Sequence, residues 1–292
     1  MNPAAFVIGG SGAVGRFLLP RLIAAGYSVT ALSRQERREI PGIAWLRGGL
    51  DASLAVPVAD ALVCVGPLDH CVAWLESSSS PVPRRIVALS SMSADSKRES
   101  LDPAERALAL RLVDAERGLM RFAARHGAEA TVLRPTLIYG AGVDRSLTPI
   151  ARMAQRSRLF PLVPGANGLR QPVHADDVAA TCVAALSGAA AGQVLPLGGG
   201  ERLSFARMLG RMRAGLGCST LPVPLSIYLL QIASRLTGRG GAMLQRLTQD
   251  LVADNRRVVE LLGVSPREFH PGGDCWQPHT PGPVDRAYSD FS

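Results

Sequence analysis

The stretch with the clearest chemistry is Gly9-Gly10-Ser11-Gly12-Ala13-Val14-Gly15. An apolar run, Ala5 to Ile8, precedes it. Arg16 to Ala25 follows, with Phe17, Leu18, Leu22 and Ile23 at helical spacing. The order predicts strand, glycine turn, helix. Two spacings fit: Gly10, Gly12 and Gly15 make G-x-G-x-x-G, and Gly9, Gly12 and Gly15 make G-x-x-G-x-x-G. Glycines without a Cβ let the backbone turn sharply and approach a phosphate. The free N–H groups of the following helix then face that phosphate. In this context the arrangement suits the pyrophosphate of a dinucleotide, with Gly9, Ser11, Gly12, Ala13, Val14 and Gly15 as its contacts. Gly15 is expected to let the helix pack close to the strand. An ordinary glycine-rich turn is the alternative. Pro20, inside the helix pattern, is expected to bend it.

The end of the second strand selects the dinucleotide. An NAD site there holds an acidic residue on the ribose hydroxyls. Here Ser33 closes Ser28-Val29-Thr30-Ala31-Leu32, and Arg34 follows. A serine does not repel a 2′-phosphate, and an arginine fork can pair with one. Arg37 and Arg38 add positive potential. NADP(H) is therefore expected over NAD(H). The alternative is that Arg34 points to water.

These residues need a scaffold, and the chain supplies one. Tyr27 to Leu32, Gly42 to Arg47, Asp60 to Gly66, Arg85 to Ser91 and Ala130 to Pro135 read as further strands. Ser77 to Pro83 reads as a loop and Ala104 to His126 as a long helix. Short apolar strands alternating with helices argue an α/β fold: a Rossmann-type doubly wound parallel sheet with Ala5 to Ile8 at its centre. Beyond Tyr139-Gly140 helices are expected to dominate, broken by Pro161, Pro164 and Pro172, with one strand near Gln193 to Leu197. Residues 1–140, joined by the 170–200 segment, form the expected dinucleotide-binding domain. Residues 141–292 form mainly a smaller helical lobe for substrate.

Four further segments carry a resemblance. They are Leu89-Ser90-Ser91, Leu133-Arg134-Pro135-Thr136-Leu137-Ile138-Tyr139-Gly140, Arg170-Gln171-Pro172-Val173-His174-Ala175-Asp176-Asp177-Val178-Ala179, and Asp250 to Gly263. With the glycine turn they resemble the extended and atypical short-chain dehydrogenase/reductases, in particular epimerase/dehydratase-like members, through about Phe269. The resemblance implies an NAD(P)-dependent oxidoreductase or epimerase acting on a small hydroxyl- or carbonyl-bearing substrate, with a nucleotide sugar among the candidates. It extends the cofactor contacts to Asp51, Val65, Gly66, Ser90, Pro135 and Leu137. It turns Arg170 and His174 toward the substrate cleft, where Arg170 would clamp a phosphate or carboxylate. Gln171 stands where the family commonly has an acid.

The family's catalytic pair is Tyr-x-x-x-Lys, and this chain has none. Lys97 is its single lysine, with Ser93 four residues earlier. Aligning Glu116 with the family's glutamate puts Leu108 and Leu112 at the pair's positions, and Met92 falls near the catalytic serine's. Ser91, Tyr139 and His174 are the substitute acid–base candidates. Each has a plain alternative: Ser91 caps the strand, Tyr139 packs at the sheet edge, and His174 hydrogen-bonds at the lobe junction. Asp177 reads as a helix N-cap. A non-catalytic dinucleotide-binding sensor or assembly protein is the other class of function.

The bulk properties exclude other classes. The chain has 292 residues, 47% hydrophobic, with mean hydropathy +0.15 and no apolar run long enough to span a bilayer. Leu225 to Ile232, the most apolar helical stretch, reads as a core or lid helix. No basic leader precedes the first strand. Net charge is +8 and pI about 9.9, yet the arginines are scattered and aromatics are 5%. Nucleic acid is therefore not an expected partner, nor is a membrane; a small-molecule substrate is. Five cysteines without a C-x-x-C fit free thiols in a reducing cytoplasm. His270, Cys275 and His279 sit among prolines and glycines, so the tail is expected to be loose and no metal is expected.

Overall fold

Alternate residues of the first strand face opposite sides. Ala5 and Val7 join one apolar cluster, and Phe6 and Ile8 join another. This is the period of two that a strand covered on both faces must show. The computed structural model describes residues 2–37, 40–51, 54–226 and 247–278. Arg38, His279 and the stretch after Ser226, which takes in most of Leu225 to Ile232, lie outside the described residues.

The strands β1 (Ala4–Ile8), β2 (Ser28–Ser33), β3 (Ile43–Arg47), β4 (Ala61–Cys64), β5 (Arg85–Leu89) and β6 (Glu129–Pro135) build one sheet. β7 (Ile138–Tyr139), β8 (Leu159–Leu162), β9 (Leu169–Arg170) and β10 (Val173–His174) lie outside it, and β11 (Val194–Leu197) rejoins it. The order is β11-β6-β5-β4-β1-β2-β3, with every pairing parallel. Register runs Val7 opposite Ala31 and Val63. β4 occupies the middle of the seven strands and β1 lies beside it. All of β4 is buried, as a strand with two covered faces requires.

Helices α1 (Gly15–Ala24) and α6 (Ala175–Ala185) cover one face of the sheet. Leu18, Leu19 and Leu22 meet Val178, Ala179 and Cys182 there. Helices α2 (Leu68–Ser77) and α4 (Pro103–His126) cover the other, where Trp74, Leu119 and Phe122 pack on Phe6, Leu62 and Ile86. α2 adds to the elements read from the sequence: Leu68, Cys71 and Leu75 are its buried stripe. α4 starts where Asp102 Oδ1 accepts from Ala104 N at 2.8 Å and ends at Gly127, φ +65°. Pro20 lies inside α1, which continues to Ala24.

Among the described residues, the later half holds α5 (Thr148–Ser157), α7 (Phe205–Ala214) and α8 (Arg256–Leu262). It also forms three two-stranded pairs: β10 with β7, β12 (Leu203–Ser204) with β9, and β13 (Leu221–Pro224) with β8. Pro161 does not break a helix; it lies in β8 opposite Val223. A two-stranded sheet has only edges, and edges tolerate proline. As far as Pro278, the tail is held in place. Phe269 and Trp276 are fully buried, and Trp276 Nε1 donates to Gly215 O at 2.9 Å. Gly142 N donates to Cys275 O at 3.0 Å, and Gly200 N to Arg267 O at 2.8 Å. All five cysteines are free thiols.

Candidate functional site

Because the seven strands are parallel, their carboxyl ends share one edge. Ile8 leads there into the glycine turn, Ser33 ends β2, Val65 and Gly66 follow β4, Ser90 and Ser91 follow β5, and Pro135 ends β6. Leu137 bridges β6 to β7, and Asp51 lies exposed on the loop after β3. Residues far apart in the chain thus meet along one crevice.

The constrained glycines are Gly9 and Gly15. Gly9 has φ +86°, and a Cβ there would sit 2.7 Å from the backbone nitrogen of Gly66. Only glycine lets the two turns touch in this way. Gly12 N donates to Gly9 O at 2.9 Å and closes the turn. A Cβ on Gly15 would run into the backbone of Gly10. Gly15 therefore brings the helix close to the turn itself, where the sequence placed the close approach at the strand.

α1 has no side-chain cap at Val14. Among the described residues, nothing accepts from the N–H groups of Ala13 or Val14. Ser90 Oγ is buried without a hydrogen-bond partner among the described residues. A tight turn, open N–H groups at a helix start and an orphaned hydroxyl fit a dinucleotide phosphate and its adjoining ribose.

At the end of β2, Ser33 is buried. Its Oγ donates to Gln35 O at 2.7 Å and accepts from Arg37 Nε at 3.1 Å. Burial and the Arg37 guanidinium lower the pKa of Arg16, so two cations crowd this corner. Arg34, the arginine expected to read the cofactor, is exposed, as is Arg37. Arg37 is the one that hydrogen-bonds Ser33. Adjacency pointed to Arg34; the turn after the strand brings the residue four along back onto Ser33.

The three acid–base candidates are held in different ways. Ser91 Oγ accepts from Ser93 N at 3.1 Å, at the entry to the short helix α3 (Ser93–Ser96). Tyr139 is buried, with ring contacts to Phe269 at 4.8 Å and His174 at 5.1 Å. Burial, reinforced by Cys275 and Asp177, pushes its phenol well above the usual range. His174 Nδ1 accepts from Asp176 N at 3.1 Å and caps α6. Burial, then the Arg267 guanidinium, push its imidazolium down to about 4. The ring is neutral with its proton on Nε2, the nitrogen that packs against Gly140. Tyr139 and His174 are thus built into the packing, whereas Ser91 lies at a strand end, its hydroxyl accepting from Ser93 N and donating to no acceptor among the described residues.

Asp177 is not the N-cap. His174 holds that position, and Asp177 instead accepts from Arg267 N and Nε, each at 2.9 Å. Asp176 bridges Arg21 Nε at 2.7 Å and Arg267 Nη2 at 2.8 Å. Arg170 is 4% exposed. Its Nη1 donates to Leu169 O and Gln249 O, and its guanidinium lies over the Phe205 ring at 5.2 Å. The expected clamp is therefore occupied in joining β9 to the segment before Asp250. Gln171 Nε2 donates to Gly199 O at 2.7 Å while its Oε1 accepts from Ala253 N at 2.8 Å. This residue needs both a donor and an acceptor, which an acid would not supply.

Arg134 forks onto Glu116, with Nε 2.8 Å from Oε1, and reaches Asp95 at 2.7 Å. It ties β6 to α4 and α3. Lys97 pairs with Glu105 at 3.0 Å. Leu108 and Leu112 are half-buried on α4.

A model of the NAD dependent epimerase/dehydratase family matches residues 93–198. The chain is 27% identical to a UDP-glucose 4-epimerase of Vibrio cholerae over 156 residues, 52% of this chain and 47% of that protein. It is 40% identical over 73 residues to the mitochondrial NADH dehydrogenase [ubiquinone] 1 alpha subcomplex subunit 9 of Arabidopsis thaliana, 24% of this chain and 18% of that one. These matches span about half and less than a fifth of the two relatives. In fold, it is similar to a UDP-glucuronic acid 4-epimerase from Bacillus cereus in complex with NAD, with TM-score 0.67 and 14% identity over 98% of this chain and 97% of the other. Residues 93–198 thus match the NAD dependent epimerase/dehydratase family model, and nearly the whole chain is similar in fold to a UDP-glucuronic acid 4-epimerase.

Proposed function

We propose that the protein is an NAD(P)-dependent enzyme of the epimerase/dehydratase kind that binds NADP(H) in preference to NAD(H). Residues 1–140 with 170–200 serve as its cofactor unit, and the remainder as its substrate lobe. The observation that carries the reading is the corner at the end of β2. Ser33 stands there without a carboxylate, and Arg37 and Arg16 crowd around it. A 2′-phosphate would relieve that cation pair, and a charge-assisted contact of this kind contributes roughly 1.5–3 kcal/mol.

The dinucleotide supplies a hydride acceptor or donor when bound. The chain's residues do the rest. The Gly9 turn and the start of α1 hold the pyrophosphate, and the Ser90 hydroxyl takes up a ribose or nicotinamide oxygen. Ser91 donates its free proton to a substrate oxygen and orients it. The UDP-sugar epimerases among the relatives support a nucleotide sugar as the substrate class. Positioning of substrate against cofactor can supply much of the rate where a strong acid–base pair is absent. Titration calorimetry with NADP and NAD tests the cofactor. Tighter NADP binding is expected, and equal affinities or tighter NAD binding would reject the preference.

One observation favours a second reading. Leu108 and Leu112 stand where the family's Tyr and Lys act, and Lys97 is held by Glu105. A dinucleotide-binding protein without turnover, acting as a sensor or assembly subunit, fits that loss. NADPH oxidation over a panel of aldehydes, ketones and nucleotide sugars separates the two. Turnover of any of these substrates supports the enzyme, and silence with tight cofactor binding supports the second reading.

A further inference from the structure

The lobe carries a surface that the cofactor site does not use. Met153 on α5, Leu159 on β8 and Leu221 on β13 are 50%, 46% and 67% exposed. Leu159 and Leu221 are register partners in the β8–β13 pair. Ser157 Oγ lies 2.9 Å from Met153 O and 3.4 Å from Leu159 O, so the end of α5 carrying Met153 runs directly into the β8 edge carrying Leu159. Arg152, Arg156 and Arg158 are exposed on the same short stretch. From residue 145 to 175 the chain has no acidic residue, and it has none from 202 to 226. Of the elements packed on α5 and β8, only the turn at Gly273–Trp276 brings a carboxylate, that of Asp274.

Arg158 adds an independent observation. It follows α5 with φ +59° and ψ +16°, and is the only non-glycine residue with positive φ among the described residues. That position ends a helix in the left-handed region, where glycine is the usual residue. The fold uses this turn, since Arg158 N donates to Ala154 O and its carbonyl accepts from Leu221 N, yet an exposed arginine fills a place where glycine would be unstrained.

We propose that this face docks on an anionic lipid bilayer surface. The apolar trio would sit at the headgroup–acyl boundary, and the arginines would meet lipid phosphates and carboxylates. The apolar residues favour a bilayer over nucleic acid, since among the described residues Met153, Leu159 and Leu221, none of them aromatic, are the large exposed side chains of this face. No helix among the described residues is long and apolar enough to cross a membrane. The sequence offered no sign of it because the patch forms only when β8 and β13 pair.

Co-sedimentation of the full chain with phosphatidylcholine vesicles, with and without phosphatidylserine, tests the proposal. Binding is expected only to the anionic vesicles and should weaken as salt rises. Arg158→Gly removes the charge and also the strain. It should unfold at an unchanged or higher temperature yet bind vesicles about fivefold more weakly, with Arg156→Gln weakening binding by a similar factor. The double variant Met153→Ser/Leu221→Ser should lose about tenfold. Equal binding to both vesicle types, no binding to either, or an Arg156→Gln/Arg158→Gly double variant that sediments like the parent would overturn the proposal. Binding to duplex DNA without binding to vesicles would overturn it too.

Discussion

His174 Nδ1 accepts the backbone N–H of Asp176 at 3.1 Å, so the imidazole acts as the cap of α6. Burial and Arg267 hold its imidazolium down to about 4. Above the usual histidine pKa of about 6.5 both folded and unfolded chains carry a neutral ring, and the group adds no pH dependence. Between about 6.5 and 4 the unfolded chain binds a proton that the folded chain refuses, so stability falls with falling pH. The full shift corresponds to roughly 3 kcal/mol, less where water reaches the ring. His174→Asn keeps a capping side chain without the titration. Urea unfolding across this window should show a shallower loss in the variant than in the parent, and parallel curves would refute the assignment.

The cofactor corner separates two neighbouring arginines. Both are exposed, and Arg37 is the one that hydrogen-bonds Ser33, at 3.1 Å. Arg37→Ala should weaken NADP binding about tenfold and leave NAD binding nearly unchanged. Arg34→Ala should change little. Calorimetry on both variants checks this, and a larger effect at Arg34 would return the role to that residue.

Gln171 bridges Gly199 O and Ala253 N with its two amide ends. In Gln171→Glu a carboxylate would face Gly199 O with no donor in a buried site. A loss of about 1–3 kcal/mol is expected, read from denaturant midpoints. The segment around Ala253 should loosen first, visible as faster amide exchange there.

The Arg134–Glu116 fork joins β6 to α4, and the Glu116 side chain is almost fully buried. Glu116→Ala would leave the guanidinium with only the half-exposed Asp95 as a charged partner. Breaking one side of such a pair costs about 3–5 kcal/mol. Thermal unfolding should show a large drop, whereas replacing both partners with apolar residues should recover part of it.

The sequence alone determined the seven strands of the main sheet, the glycine turn and the parallel arrangement. These follow from local signals: period-two burial in Phe6 and Val7, continuous apolarity in Leu62 and Val63, and glycines where the backbone needs them. It also determined that the spacing Tyr-x-x-x-Lys is absent, since Ser93 stands four residues before the single lysine, Lys97. Only the tertiary structure decided which side chains are free to act. His174 caps a helix, Tyr139 is packed into the lobe, Arg170 is spent on carbonyls, and Arg37 hydrogen-bonds Ser33. The tail likewise looked loose because its prolines and glycines carry no periodicity. Its fixation comes from partners far away in the chain, Gly142, Gly200 and Gly215. Hydrogen-bond partners and burial of this kind are set by long-range contacts, which leave no spacing in the sequence to read.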